Sequence, residues 1–132
     1  MFMISDSLKV KAQEAAVRIA DKLDLVGVLA VEFFVMDDEN LLVNELAPRP
    51  HNSGHFSMDA SVTSQFEQLI RAISGSSLGS VRFHSKGYMK NLIGSDIDNL
   101  QEFRNNPKAK THLYGKFDAK EGRKMGHVNI LK

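Results

Sequence analysis

The chain has 132 residues, a formal charge of +1, 42% hydrophobic and 25% charged side chains, and no cysteine. Such a length fits one domain or two small lobes, and so balanced a charge gives no global pull toward nucleic acid or an anionic membrane. Disulfides and thiolate metal sites are excluded, no apolar run approaches the ~20 residues of a membrane span, and the N-terminus lacks a signal-peptide pattern, so a cytoplasmic chain is expected.

Leu8, Ala12, Ala15, Ile19 and Leu23 recur at helical spacing, with Lys9, Lys11, Glu14 and Arg18 around them. The spacing predicts an amphipathic helix over 7–23, started by Ser5-Asp6-Ser7. Two apolar runs follow, 27–36 (Gly-Val-Leu-Ala-Val-Glu-Phe-Phe-Val-Met) and 41–46 (Leu-Leu-Val-Asn-Glu-Leu). Between them Asp37-Asp38-Glu39-Asn40 is a turn by composition, so the runs read as a hairpin. If the loop is those four residues, Met36 pairs with Leu41 and Glu32 falls directly opposite Glu45. Cross-strand neighbours lie only ~5 Å apart at Cβ, where like charges repel. A hard divalent cation held by carboxylates and substrate phosphates would offset that repulsion. The alternatives are that one Glu turns to solvent or that the pair shares a proton.

The hairpin runs into the segment with the densest functional chemistry, residues 44–55, Asn-Glu-Leu-Ala-Pro-Arg-Pro-His-Asn-Ser-Gly-His. Pro48 and Pro50 bracket Arg49 and fix local φ angles, so the polar groups stand on a stiffened backbone. A polar loop between a strand pair and a helix is a common place for a site. The next helix is marked by the stripe Val62, Phe66, Leu69 and Ile73 and stopped by Gly75. The Gly/Ser-rich stretch 75–80 is the best domain boundary, dividing the chain into 1–75 and 76–132.

Beyond it, 87–93 predicts a strand, and Asp98 can cap a short helix running to Arg104 and ended by Asn105-Asn106-Pro107. Residues 110–114 and 125–131 predict two strands around a basic loop that carries Lys116, Lys120, Arg123 and Lys124 among Gly115, Gly122 and Gly126. Cations beside glycines suit an anion, because the backbone can approach closely and donate N–H groups. A solvated hairpin tip is the plainer alternative.

The five histidines do not make a zinc site on spacing: His51 and His55 are separated by Asn-Ser-Gly, and no His-Glu-x-x-His occurs. His112 and His127 are expected to meet backbone or phosphate instead. Ser53 and His55 could suggest a nucleophile and base, but no Gly-x-Ser-x-Gly elbow surrounds Ser53.

The stretch Val-Asn-Glu-Leu-Ala-Pro-Arg-Pro-His-Asn-Ser-Gly-His over 43–55, with Val-Thr-Ser-Gln-Phe-Glu-Gln over 62–68, closely resembles the N5-carboxyaminoimidazole ribonucleotide synthetases. These are ATP-grasp enzymes of purine biosynthesis, the ATPase subunits of phosphoribosylaminoimidazole carboxylase. The tail, His-Leu-Tyr-Gly-Lys over 112–116 and Gly-Arg-Lys-Met-Gly-His over 122–127, resembles the same family's C-terminal signature. The related transformylases typically continue Pro-Arg-Pro-His with Asp-Thr-Gly, where this chain has Asn52-Ser53-Gly54. Biotin carboxylases lack the tail.

The resemblance implies an α+β fold: the C-terminal half of an ATP-grasp domain (helix, antiparallel hairpin, helix) over 1–75, then a small β-rich domain over 76–132. It implies ATP and Mg²⁺ as cofactors, bicarbonate as co-substrate and aminoimidazole ribonucleotide as acceptor, in a homodimer that binds neither nucleic acid nor membrane. By resemblance, Glu32 and Glu45 are the metal ligands, Asn44 and Glu45 lie near the triphosphate, and Arg49 and His51 are catalytic. Asn52 and Ser53 meet the substrates, while Lys116, Lys120 and Arg123 hold the ribonucleotide phosphate, where paired cations are apt. Lys120 stands where the family often has Arg, and Lys cannot grip phosphate bidentately. The family's enzymes are far longer, so this chain is expected to be an incomplete, inactive piece. The rival expectation is a non-catalytic module that binds phosphate ligands or dimerises.

Overall fold

The computed structural model describes residues 4–37 and 40–132. The chain forms two compact units, one of 1–54 with 65–79 and one of 55–64 with 80–132.

The first unit opens on α1, Asp6–Lys22, whose N-cap Ser5 accepts a hydrogen bond from Leu8 N–H. A capping side chain satisfies one of the amide donors that every helix start leaves orphaned. Strand β1 (Ala30–Val35) pairs antiparallel with β2 (Leu41–Ala47). The predicted turn is off by one: Val35, not Met36, faces Leu41, and Met36 N–H closes the loop on the Asn40 carbonyl at 2.9 Å. Asp38 and Glu39 of that turn lie outside the described residues. A bulge between Phe33 and Glu32 then absorbs one extra residue, Asn44, and restores the register, so that Glu32 does face Glu45. A bulge sets two residues against one and re-aims side chains. Here it brings Asn44 onto Glu32.

Helix α3 (Gln65–Ile73) starts three residues later than the stripe from Val62 suggests, because Val62 donates to the Arg82 carbonyl in an extended stretch. The helix stops as expected. Gly75 takes φ +69°, with Gly75 N–H bonded to Ala72 O and Ser76 N–H to Arg71 O, the paired pattern that a left-handed residue after a helix allows.

In the second unit a short helix α2 (Ser57–Ala60), which the sequence did not signal, precedes a three-stranded antiparallel sheet in the order β3-β5-β4. These strands are β3 (Gly87–Ile93), β4 (Ala109–Leu113) and β5 (Lys124–Leu131). Between β3 and β4 a 3₁₀ turn, Gly94–Asn99, leads into α4 (Leu100–Arg104). Asp98 does not cap it; the carboxylate that caps here is Asp96, which accepts from Ile93 N–H at 3.0 Å.

The central strand β5 is buried on both faces, each with its own chemistry. On one face Val128 packs with Leu92 and Phe103, ringed by Leu100, Ala109 and Ile130. On the other, His127 and Asn129 are buried polar groups. Asn129 Nδ2 donates to Asp59 at 2.6 Å and to the His55 carbonyl at 3.2 Å, while His112 Nε2 meets the same Asp59 oxygen at 2.7 Å. His127 lies 4.7 Å from His112, ring to ring and nearly parallel, and its Nδ1 bonds the Tyr114 hydroxyl at 2.9 Å. The expectation of backbone or phosphate partners for these two histidines is therefore corrected: one is held by a carboxylate, the other by a phenol.

Candidate functional site

Three ligand-bearing side chains of the first unit converge. A carboxylate oxygen of Glu32, one of Glu45 and a ring nitrogen of His51 lie within 4.8 Å of one another. The antiparallel register supplies the two carboxylates. Glu32 is held from two sides, by Asn44 Nδ2 at 3.3 Å and by His51 Nε2 at 3.3 Å. Glu45 has no hydrogen-bond or ion-pair partner among the described residues. A pair with one tethered and one open carboxylate suits a hard cation whose remaining positions are filled by water or phosphate oxygens.

His51 is oriented by its neighbours. Its Nδ1 lies 2.9 Å from the Ser53 hydroxyl, and Ser53 N–H points at the same nitrogen from 3.4 Å. An N–H can only donate, so Nδ1 is the acceptor and the imidazole proton belongs on Nε2, toward Glu32. Ser53 thus partners His51, in keeping with the absence of a nucleophile elbow that would pair it with His55. Arg49 is exposed, with its guanidinium donating to the Pro50 carbonyl at 3.0 Å. Arg49, His51, Ser53 and Gln65 line a cleft of about 270 Å³ with Val28 and Ala30. Asn52 opens the 3₁₀ turn Asn52–Gly54 on the same loop. In this way the structure brings together Glu32, Asn44, Glu45, His51 and Ser53, with Arg49 and His51 on one cleft.

The basic loop lies in the second unit between β4 and β5. Lys116 donates to the Lys124 carbonyl at 2.7 Å and sits over the Tyr114 ring, 5.6 Å from its centre. Arg123 Nη1 donates to the Asp118 carbonyl at 3.3 Å, and Lys120 is exposed. Gly115 and Gly122 both adopt positive φ, so the glycines do shape the loop.

Two residues that matter to these groups were not singled out from the sequence. Gln65 was visible only as part of a motif. Asp59, which gathers His112 and Asn129, sits on a helix the periodicity did not reveal. His127 and Asn129, alternate residues of one strand, were the available hint.

Two family models match the chain: an ATP-grasp domain over 2–66 and the phosphoribosylaminoimidazole carboxylase C-terminal domain over 87–132. Together they define an ATP-grasp segment followed by a phosphoribosylaminoimidazole carboxylase C-terminal domain. The chain is 49% identical over 130 residues to the N5-carboxyaminoimidazole ribonucleotide synthase of Bacillus subtilis, covering 98% of this chain and 34% of that protein. It is likewise similar to the crystal structure of the ADP complex of an N5-carboxyaminoimidazole ribonucleotide synthetase, at TM-score 0.91 and 48% identity over 98% of this chain and 34% of that one. The Aspergillus clavatus enzyme, crystallised with ADP and 5-aminoimidazole ribonucleotide, matches at TM-score 0.91 and 34% identity, covering 99% of this chain and 37% of its own. The chain belongs to the N5-carboxyaminoimidazole ribonucleotide synthase family. It spans about a third of the length of the relatives it matches.

Proposed function

We infer that this chain supplies part of the active site of an ATP-dependent carboxylase acting on 5-aminoimidazole ribonucleotide. The observation that carries the reading is the Glu32–Glu45 pair, braced by Asn44 and by His51, which also lines the Arg49 cleft. In the reaction a bicarbonate oxygen attacks the γ-phosphorus of ATP and ADP leaves. The amine of the ribonucleotide then attacks the carboxyphosphate carbon, phosphate departs, and the nitrogen loses a proton. Glu32 and Glu45 would hold Mg²⁺, which supplies charge neutralisation at phosphate oxygens. Arg49 faces the transferred phosphate from the cleft, and His51, held by Ser53 and Glu32, positions reactants or moves a proton. Residues 1–75 are assigned to the ATP-grasp part and 76–132 to the end domain.

Lys116, Lys120 and Arg123 are assigned to the ribonucleotide 5′-phosphate. Lys116 now donates to the carbonyl at the start of β5 and Arg123 to the Asp118 carbonyl of the loop, neutral acceptors that a phosphate oxygen outcompetes. Lys116→Ala or Arg123→Ala in a full-length chain is expected to raise the ribonucleotide KM about ten- to a hundredfold, the ~1.5–3 kcal/mol of one charged hydrogen bond, with the ATP KM nearly unchanged. An unmoved ribonucleotide KM would return the loop to a solvated hairpin.

The reading as a whole is tested by exchanging the corresponding third of the Bacillus subtilis enzyme for this chain. ADP release dependent on both bicarbonate and the ribonucleotide is expected of the hybrid. The isolated 132 residues should show none, since positioning alone accounts for ~7–11 kcal/mol of such barriers. They should also self-associate, because Phe34, Val35, Met36, Leu42 and Val43 leave the hairpin with exposed apolar side chains. A monomeric chain at high concentration in sedimentation would count against that last expectation, and synthesis by the purified chain alone would overturn the need for the missing part.

A further inference from the structure

Gln65 opens α3, and its carboxamide meets a single residue of the catalytic loop twice. Its Oε1 accepts from His51 N–H at 2.9 Å, and its Nε2 donates to the His51 carbonyl at 2.9 Å. One planar amide thereby imitates a neighbouring strand and fixes the peptide groups on both sides of His51. The same carbonyl also accepts from Gly54 N–H at 2.9 Å, closing the turn over Asn52 and Ser53. Gly54 is needed here for space and not for conformation, since it is absent from the positive-φ glycines. A Cβ on it would lie 2.5 Å from Gln65 Oε1 and 2.8 Å from its Cδ. The loop therefore omits a side chain where the glutamine enters.

We propose that Gln65 is a positioning residue for the carboxylation reaction, clamping the His51 backbone so that the imidazole is held against Glu32, with Gly54 as the opening that admits the clamp. This rests on the assignment of His51 and the Glu32–Glu45 pair to the reacting end of the nucleotide. The ring position follows from the backbone position. His51 reaches Glu32 at 3.3 Å and Ser53 at 2.9 Å, and a rotation of the peptide would break both contacts together. Gln65→Glu is the discriminating change: it keeps shape and one acceptor, but turns a second carboxylate oxygen toward the His51 carbonyl, where the amide had donated.

In the hybrid enzyme described above, Gln65→Glu and Gln65→Ala are expected to lower kcat about ten- to a hundredfold, the scale of a misplacement near 1 Å. KM for ATP and ribonucleotide should stay within about twofold, because neither ligand loses a direct contact. Gly54→Ala should reproduce the loss, and Gly54→Ala combined with Gln65→Ala should cost no more in kcat than either change alone, as coupled neighbours are non-additive. In the 132-residue chain itself, the His51 amide should exchange with solvent at least tenfold faster in Gln65→Ala. His51→Ala serves as reference. If it leaves kcat unchanged, the assignment of His51 fails and the proposal falls with it. If His51→Ala costs a hundredfold while Gln65→Glu costs nothing, or if Gln65→Glu moves only the melting temperature, the positioning role alone is overturned.

Discussion

Replacing Glu45 by Gln is expected to cost at least a hundredfold in turnover of the full-length enzyme while leaving the fold more stable in the absence of metal. Both effects come from one asymmetry. Glu32 is tethered by Asn44 and His51, whereas Glu45 faces it across the sheet with no partner among the described residues. Removing the charge at 45 relieves a cross-strand repulsion, a contribution of ~0.2–1 kcal/mol for such pairs, and breaks no hydrogen bond. On the proposed metal assignment, the activity loss would reflect lost charge stabilisation of transferring phosphate, where one electrostatic partner typically contributes ~3–4 kcal/mol. Glu32→Gln should cost as much turnover but gain no stability, since it also loosens Asn44 and His51. Melting temperatures without metal and kcat across a Mg²⁺ titration check both. If Glu45→Gln kept wild-type turnover at limiting Mg²⁺, the carboxylate pair would not be the metal site.

The Glu32–Glu45 opposition was legible because a hairpin's period of two leaves few registers once the turn is located. Yet the turn falls one residue from the position its composition predicts, and Glu32 still faces Glu45. The bulge at Asn44 compensates, and no local propensity announces a bulge at an asparagine within Leu-Leu-Val-Asn-Glu-Leu. The helices 6–22 and 65–73 were legible from apolar spacing and a stop at Gly75, the second except at its start. There Val62 has the right character for the stripe but is engaged by the Arg82 backbone, a partner twenty residues away that composition cannot reveal. The loop at 44–55 was legible as chemistry and opaque as geometry. No pattern in the sequence gives Ser53 a partner; it bonds His51 because the 3₁₀ turn Asn52–Gly54 curls the hydroxyl back. Gln65 lies fourteen residues from the backbone it clamps, so its role belongs to tertiary structure alone. The same holds for Asp59, whose partners are 53 and 70 residues away.

The buried imidazole of β5 leads to the other large effect, on stability against pH. His127 is 1% exposed, its Nδ1 bonds Tyr114, and its Nε2 has no hydrogen-bond partner among the described residues. Burial first, then the nearby His112 and His55, pushes its pKa down from 6.5 to about 4, against a smaller upward pull from Asp59. The folded state therefore resists a proton that the unfolded chain accepts near pH 6.5. The neutral ring's contribution is fully present above pH 6.5 and is lost as the pH falls toward 4, because the unfolded state binds more protons throughout that window. A depression of this size corresponds to about 3 kcal/mol, which for a unit of this size is on the order of 15 °C in melting temperature. Thermal melts between pH 7 and 4 should show that loss in the unit built on β5. The ring itself can be followed directly: its carbon resonances should titrate near pH 4 in the folded chain, far below those of an exposed histidine. A midpoint near 6.5 would mean that the site is wet and that the acid sensitivity lies elsewhere. His127→Gln, if it folds, should be less stable at pH 7 and show a flatter slope between pH 6.5 and 4. Tyr114→Phe removes the hydrogen bond to His127 Nδ1 without adding charge, so it should lower stability at every pH by ~1–3 kcal/mol, the cost of a buried polar group left unpaired.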